Sequence, residues 1–391
     1  MTRLTAALRL MLAAVAGLAV ASAAMSKEEG VVLGMIAPLT GTNAVQGQDM
    51  ERGMRLALNR VSGGYEVPLK GDRTRSIGPG VLGNPVQVIV ENTESRPASA
   101  MDAVRKLVNV DKVPAVIGEY SSGVSVPTGQ FTNENKVVQI SVASTSPKLR
   151  EIGPYMFNAI GLDNVGGAEL AEFAMKDSGA KRFASIVPNN PFGIGIEIST
   201  CKTVEEMGGE CVSKIRYELG KPDYRAEVRQ LFAANPEAAF YTAYGTESRL
   251  ILRQAFEQGL EPPKGWYADY MTMWSNELKE IPEAAEGVKG WVVGVSGDFF
   301  RREYAEAYEQ EYGEPPTTAF GAYAYDATML LLLAIDEAGS ADADAIRQAL
   351  PKVSESYLGV TGDKSMDEDG MQVTESYQTR AYTKGRLVEY P

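Results

Sequence analysis

Residues 115–149 read AVIGEYSSGVSVPTGQFTNENKVVQISVASTSPKL, and they contain two strand-to-turn transitions in succession. The apolar run 115–117 is short and uninterrupted, as is typical of a strand buried on both faces of a parallel sheet, and it stops at Gly118. Residues 137–142 repeat the plan and end in small and hydroxylated residues at 143–146. Because open α/β sheets bind ligands beyond the carboxyl ends of their strands, these turns predict a ligand site.

The two turns offer hydrogen-bond donors of similar kind. Ser121 and Ser122 stand where a helix should begin, and Ala143, Ser144 and Thr145 follow the next strand. Free backbone N–H groups at a helix start, together with hydroxyls, favour an anionic or carbonyl group. Either turn alone is better explained as an ordinary helix cap. Their occurrence on consecutive strands favours a ligand site, and both interpretations remain open.

The first 23 residues predict an export signal. Arg3 and Arg9 precede an apolar run over 10–20, and the small residues at 21–23 suit a signal peptidase. The run is too short to span a bilayer as a membrane helix. We therefore expect cleavage near Ala23 and a mature protein outside the cytoplasm.

Composition excludes several classes of function. The chain has 38 basic and 51 acidic residues, and loss of Arg3 and Arg9 leaves a net charge of −15, which argues against nucleic acid as a partner. The sequence has no His, which removes the Ser–His and Cys–His nucleophile pairs and the commonest zinc ligand. We expect no enzyme activity, no catalytic residue, no metal site and no cofactor.

The two cysteines are Cys201 and Cys211, at the end of one predicted helix and the start of the next strand. An exported chain meets an oxidising compartment, so we interpret them as a disulfide that closes a short loop. A metal site or a catalytic thiol is the alternative.

From Gly30 onward strands and helices alternate, which predicts an α/β fold with parallel strands. About 368 residues follow the signal, enough for two lobes with separate cores. Residues 63–84 are rich in Gly, Pro and charge and predict an exposed insertion, whereas 167–176 predict the first helix of a second unit. The tail from residue 371 alternates around Lys384–Gly385, which is a hairpin pattern.

A family resemblance lies in the order and spacing of short segments. These are LGMIAPLTGTNAVQGQDMERGMRLAL, VIGEYSSG, ISVASTSPKL, FGIG, LRQAFEQGL and YAYDATMLLLLAI. Together they resemble the type I periplasmic solute-binding proteins of ABC transporters, in particular the leucine-isoleucine-valine and amide-binding group, over residues 31–391. The resemblance implies two Rossmann-like lobes joined by a three-crossing hinge, with crossings near 155–161, 290–297 and 357–361. The first lobe would then be 31–155 plus 298–357, and the second 156–297 plus 358–391.

The resemblance also implies site residues in the first lobe. Ser122, with Ser121 beside it, matches the serine that meets the ligand carboxylate. Ala143, Ser144 and Thr145 match the turn that supplies a carbonyl, an N–H and a hydroxyl.

The other expected contacts include two departures from the family. Gln46 stands where branched-chain binders have an aromatic residue, and Phe192 stands where they have a Tyr. Tyr244 matches the aromatic residue that closes over the substrate backbone. Asp269 matches the acid that holds the ammonium, with Tyr270 as its rival.

The resemblance implies a periplasmic receptor that captures a small polar ligand and delivers it to the permease of an ABC importer at the membrane. We expect a monomer that binds an amino acid or a related carboxylate or amide. Gln46 and Phe192 leave an amide, a urea-like compound or an aromatic acid open. A sensor subunit that signals to a membrane receptor is the alternative function.

Overall fold

The computed structural model describes residues 30–294 and 300–391, which hold the following strands. They are β1 (Val31–Ala37), β2 (Tyr65–Leu69), β3 (Arg73–Ile77), β4 (Val86–Asn92), β5 (Ala115–Ile117), β6 (Val138–Ser141), β7 (Met156–Asn158), β8 (Arg182–Pro188), β9 (Glu210–Tyr217), β10 (Ala238–Tyr241), β11 (Trp266–Ala268), β12 (Lys289–Val293), β13 (Leu358–Gly359), β14 (Gly362–Asp363), β15 (Tyr377–Thr383) and β16 (Arg386–Glu389). The expected export signal and the boundary at 297–298 lie outside the described residues.

The helices alternate with these strands. They are α1 (Ala44–Gly63), α2 (Pro97–Asn109), α3 (Ser122–Glu134), α4 (Asp163–Ser178), α5 (Pro191–Glu206), α6 (Arg225–Phe232), α7 (Gly245–Glu257), α8 (Tyr270–Met273), α9 (Arg302–Tyr312), α10 (Phe320–Ala338) and α11 (Ala343–Ser356), with 3-10 turns at Pro147–Glu151 and Asn276–Glu280. No helix in the described ranges combines the length and the apolar character that a membrane crossing requires.

The first sheet has the strand order β4-β1-β5-β6-β7, and all its neighbours are parallel. Residues of β1 that point to opposite faces of the sheet pack into two different hydrophobic cores. Leu33 and Met35 pack in the core that includes α1 and α10, whereas Ile36 packs with Val104 and Leu107 of α2. Because both faces are covered by helices, the strands read as continuous apolar runs.

The second sheet has the order β16-β15-β12-β11-β10-β8-β9. Its inner strands are parallel, and β15 and β16 add an antiparallel edge. Helices α4 and α5 cover one face, and α6 and α7 cover the other. The structure therefore has two sheets with helices on both faces, which confirms the two-lobed α/β fold and the hairpin at Lys384–Gly385.

The chain changes lobes more than once. After β12 it returns to the first lobe, where α10 packs on α1 and on α11. The contact with α1 is so close that a Cβ at Gly53 would lie 1.8 Å from the carbonyl oxygen of Gly321. The chain then returns to the second lobe with β15.

Two expectations about local structure were wrong. Residues 63–84 are not a simple exposed insertion, because β2 and β3 form a hairpin that buries Val67 and Ile77 in the first core. The first helix of the second lobe begins at Asp163 rather than at 167.

The interpretation of the cysteines is confirmed. Cys201 of α5 and Cys211 of β9 form a disulfide, with their Cα atoms 5.5 Å apart. The bond fastens the C-terminal half of α5, the helix whose first turn contains Phe192.

Candidate ligand-binding cleft

The two hydroxyl-rich turns lie in direct contact. Oγ of Ser122, in the first turn of α3, accepts hydrogen bonds from the backbone N–H groups of Thr145 and Ser146, each at 3.2 Å. A hydroxyl that accepts two hydrogen bonds can still donate one. The ends of β5 and β6 thus form a single surface, and the Ser122 hydroxyl remains able to donate to a ligand.

This surface faces the second lobe. The Tyr270 hydroxyl of α8 lies 3.4 Å from the carbonyl oxygen of Ala143 and 3.4 Å from Oγ1 of Thr145. Oγ of Ser146 donates to the carbonyl oxygen of Pro191 at 3.0 Å, at the start of α5. The residues expected from the first and second lobes therefore meet across one cleft.

Aromatic rings form the wall contributed by the second lobe. The ring centroid of Phe192 lies 5.4 Å from that of Tyr244 and 6.4 Å from that of Tyr270. Tyr270 in turn stacks on Trp291, with centroids 5.4 Å apart. Such a wall can pack against an apolar or aromatic part of a ligand.

Two buried carboxyl groups complete the cleft. Asp269 caps α8, where its Oδ1 accepts the Thr272 N–H at 3.0 Å, and Asp163 is the first residue of α4. Both residues are at most 1% exposed. Within the described part of the chain, Oδ2 of each has no hydrogen-bond partner.

Burial changes the ionisation of both acids. It raises the pKa of Asp269 to about 6, an effect that the Thr242 hydroxyl and the N–H groups of Thr272 and Met271 oppose. Burial also raises the pKa of Asp163 well above its usual range; the nearby Thr145 hydroxyl opposes this, and the charge of Asp269 adds to it. Hydroxyl and N–H groups thus oppose the effect of burial, but no basic side chain is among the groups that act on either carboxyl.

We call the following set the cleft site: Ser121, Ser122, Ala143, Thr145, Asp163, Phe192, Tyr244, Asp269 and Tyr270. All of these side chains are buried, and Ser121 is the most exposed at 9%. The set contains two acids and no basic side chain. Asp163 is the member that the sequence analysis missed.

Two expected contacts stand apart from this set. Oγ of Ser144 lies 2.6 Å from Oγ of Ser125 and 3.4 Å from the carbonyl oxygen of Glu119, so its hydroxyl is engaged within the first lobe. Gln46 lies in the first turn of α1, with a buried side-chain oxygen that has no partner in the described residues. Their contact with a ligand stays a prediction.

A cavity of about 520 Å³ adjoins the cleft site at Tyr244. Its lining comes from both lobes and includes Thr42, Asn43, Arg96 and Gly220. Tyr244 therefore separates the buried site from an open space between the lobes.

The cleft site lies between the two lobes and combines hydroxyl, aromatic and carboxyl side chains, which can contact a small molecule. A family model described as periplasmic binding protein matches residues 30–386. The chain therefore belongs to that family of periplasmic solute-binding proteins. Members of the family bind small ligands and work with ABC transporters, and they are not enzymes.

Individual relatives agree with this assignment. The Leu/Ile/Val-binding protein homolog 1 of Brucella abortus (strain 2308) is 27% identical over 92% of both chains. A leucine-binding protein from Thermotoga maritima has a TM-score of 0.81 and 27% identity, over 92% of this chain and 98% of that one. A solute-binding protein from Rhodopseudomonas palustris BisB5, solved with 3,4-dihydroxybenzoic acid, shares the fold with a TM-score of 0.77 and 21% identity, over 93% and 97% of the two chains.

Proposed function

We propose that the protein captures an amino acid in the cleft site and delivers it to an ABC importer. The observation that carries this proposal is the pair of buried acids, Asp163 and Asp269. Each has an oxygen without a partner in the described chain, and both lie in the second lobe opposite the hydroxyl-rich turns of the first.

The electrostatics of the cleft favour a zwitterion. A buried carboxylate with an unsatisfied oxygen is costly, and a ligand ammonium relieves that cost at both acids. The ligand carboxylate meets the Ser122 hydroxyl and the turn at Thr145, where N–H and hydroxyl donors converge. The two charged ends thus bind to different lobes, so the ligand favours the closed state.

The relatives support the same ligand class, since the Brucella abortus homolog is named for leucine, isoleucine and valine. The rings of Phe192, Tyr244 and Tyr270 offer an apolar wall for such side chains.

An aromatic acid is the second candidate, because the same three rings can pack against its ring. A plain carboxylate without an ammonium, however, brings no cation to Asp163 and Asp269, so each acid must either stay protonated or repel the ligand. An amide or urea-like ligand would use the free oxygen of Gln46.

The remaining parts of the proposal concern the whole chain. We place the first lobe near 31–155 plus 298–357 and the second near 156–297 plus 358–391. The packing of α10 on α1 supports the return of the chain to the first lobe, and the pairing of β7 (Met156–Asn158) with β6 extends that lobe slightly beyond 155. Cleavage near Ala23 would release a monomer into the periplasm, where the permease is its partner. A sensor subunit that signals to a membrane receptor has the same lobes, and a pull-down of the partner distinguishes the two.

Thermal-shift and calorimetric titrations test the ligand. L-Leucine is compared with 4-methylpentanoate, which lacks the ammonium, with 3-methylbutylamine, which lacks the carboxylate, and with 4-hydroxybenzoate. A ligand at about 100 times its Kd adds roughly 2.7 kcal/mol to the free energy of unfolding, which raises the melting temperature visibly. We expect that the amino acid binds and that both truncated analogues bind much more weakly.

Variants assign the charged contacts. Asp163→Asn and Asp269→Asn are each expected to weaken amino-acid binding by more than about tenfold, because each removes a charge that pairs with the ammonium. Asp102→Asn is the matched control, since its side chain is 83% exposed on α2. If 4-methylpentanoate or 4-hydroxybenzoate binds the wild type as tightly as L-leucine does, the ammonium role is refuted.

A further inference from the structure

Glu119 lies directly beneath the two hydroxyl-rich turns, and it is completely buried. Its carboxylate has two partners. Oε1 accepts a hydrogen bond from the Thr93 hydroxyl at 2.5 Å, and Oε2 accepts one from the backbone N–H of Ser121 at 2.6 Å. The side chain therefore links the end of β4 to the turn that precedes α3.

The main chain of Glu119 extends the same connection to the next strand. Its N–H donates to Oγ of Ser125 at 3.2 Å. Its carbonyl oxygen accepts from the Ala143 N–H at 3.3 Å and lies 3.4 Å from Oγ of Ser144. One residue thus connects the carboxyl ends of β4, β5 and β6, and the last two carry the proposed carboxylate contacts.

The charge of Glu119 has no basic counterpart among the contacts of the described residues. Tyr120 is its titratable neighbour, and burial keeps the pKa of that phenol well above its usual range. Burial also raises the pKa of Glu119 to about 7, although the Thr93 hydroxyl and the N–H groups of Ser121 and Tyr120 stabilise its charged form.

We propose that Glu119 is a positioning residue for the ligand carboxylate. It holds the two hydroxyl-rich turns in a fixed position relative to each other, and its charge state sets the affinity of the turns for an anion. This inference rests on the proposed function, because it assumes that the ligand carboxylate meets Ser122 and the Thr145 turn. The Ser121 N–H is occupied by Glu119, so the carboxylate is left to the neighbouring donors of the two turns.

The charge state matters because the ligand carboxylate binds one turn away from Glu119. An ionised Glu119 repels that carboxylate, and burial away from water strengthens the repulsion, whereas a neutral Glu119 does not repel it. Binding of an anion therefore favours proton uptake at Glu119, and affinity falls as the pH rises from 6 to 8. Protonation of Asp163 and Asp269 acts in the opposite direction on an ammonium, so the effect of Glu119 is isolated as a difference between variants.

Two substitutions separate position from charge. Glu119→Gln retains the shape: its amide oxygen can accept the Ser121 N–H, and its amide NH₂ can donate to the Thr93 hydroxyl. Glu119→Ala removes both contacts. Glu197→Gln is the matched control, because Glu197 is a buried glutamate of the second lobe that pairs with Arg216.

Hydrogen exchange of the unliganded full-length protein tests the positioning without a ligand. For Glu119→Ala we expect exchange to accelerate by about tenfold or more in peptides that cover 119–125 and 141–146, because both turns lose a fixed partner. Glu119→Gln and Glu197→Gln are expected to retain the wild-type rates there. Unchanged exchange in 141–146 for Glu119→Ala overturns the proposed connection. If that variant does not fold, the pH profile of Glu119→Gln decides.

Calorimetry with L-leucine as the probe tests the charge. Between pH 6 and 8 the wild-type affinity is expected to fall on the order of threefold to tenfold relative to that of Glu119→Gln. Equal pH profiles of the two proteins overturn the role of the charge. If wild type does not bind L-leucine at all, the proposed function fails for that ligand, whereas the exchange pattern still confirms or refutes the connection between the turns.

Discussion

Replacement of Asp269 by Asn is expected to stabilise the unliganded protein at neutral pH while it weakens ligand binding. Asp269 is fully buried, and Oδ2 finds no partner in the described chain, so its ionised form is unfavourable without a ligand. Asn retains the cap of α8, since its amide oxygen can accept the Thr272 N–H that Oδ1 accepts at 3.0 Å. The substitution therefore removes the charge and little else.

The expected magnitude follows from the ionisation of the carboxyl group. Burial raises its pKa from 3.8 to about 6, and a pKa difference of one corresponds to about 1.4 kcal/mol, so ionisation costs the folded state about 3 kcal/mol. The cost is absent below pH 3.8, where Asp269 is protonated in both states. It grows as the pH rises and is complete above about pH 6. The gain for Asp269→Asn should follow the same curve.

Urea unfolding of wild type and variant at pH 4, 5, 6 and 8, without ligand, measures this curve. The difference in free energy of unfolding should rise from near zero at pH 4 toward about 2–3 kcal/mol at pH 8. Asp102→Asn, with an exposed side chain, should show no such rise. A variant that is less stable than wild type at pH 8, or a difference that does not depend on pH, would refute the reasoning.

Three further predictions concern the packing of α1, the disulfide and the pH dependence of ligand binding. Gly53→Ala should destabilise the protein by about 1–3 kcal/mol in chemical denaturation, because its methyl would lie 1.8 Å from the Gly321 carbonyl oxygen; Gly63→Ala on the same helix meets nothing within 4 Å and should not. Replacing Cys201 and Cys211 together by Ala should cost about 2–3 kcal/mol, since the bond closes a loop with a separation of 10, and reductant should lower the wild-type melting temperature to that of the variant. Calorimetry should show amino-acid affinity falling up to about tenfold per pH unit below about pH 6, where Asp269 becomes protonated and cannot pair with an ammonium; an unchanged affinity at pH 5 would contradict this.

The parts of the site that could be predicted from sequence are those with local signals. The strand 115–117 was predicted with the bounds it has, because an apolar run that ends in Gly and Ser marks a buried strand and its turn. The contact between Ser122 and the Thr145 turn follows from two such strands being neighbours in the sheet. The disulfide likewise required only spacing and compartment.

Asp163 was missed because its neighbours contradict local helix propensity. Gly166 and Gly167 are poor helix formers within the first turns of α4, so local propensity does not reveal that the helix begins at Asp163. The structure shows why glycine is needed: a Cβ at Gly166 would lie 2.9 Å from the Trp291 ring, and one at Gly167 would lie 2.6 Å from Cβ of Ser199. These contacts join segments far apart in sequence, and no local pattern reveals them.

The hairpin of β2 and β3 was mistaken for an exposed insertion for a related reason. Its composition is that of a loop, and most of its residues are accessible to solvent to some degree. Val67 and Ile77 are its buried members of the first core, and the partly buried Tyr65 packs against that core. Two buried residues in a polar segment do not produce a recognisable period.

The position of α10 in the chain has a consequence for biosynthesis. Residues 320–335 are all buried, and this helix covers α1, which is made more than 250 residues earlier. A nascent chain that has not yet reached residue 320 therefore leaves the apolar face of α1 without its cover. The core of the first lobe is therefore completed only when residues 320–338 have been made, late in the synthesis of the chain.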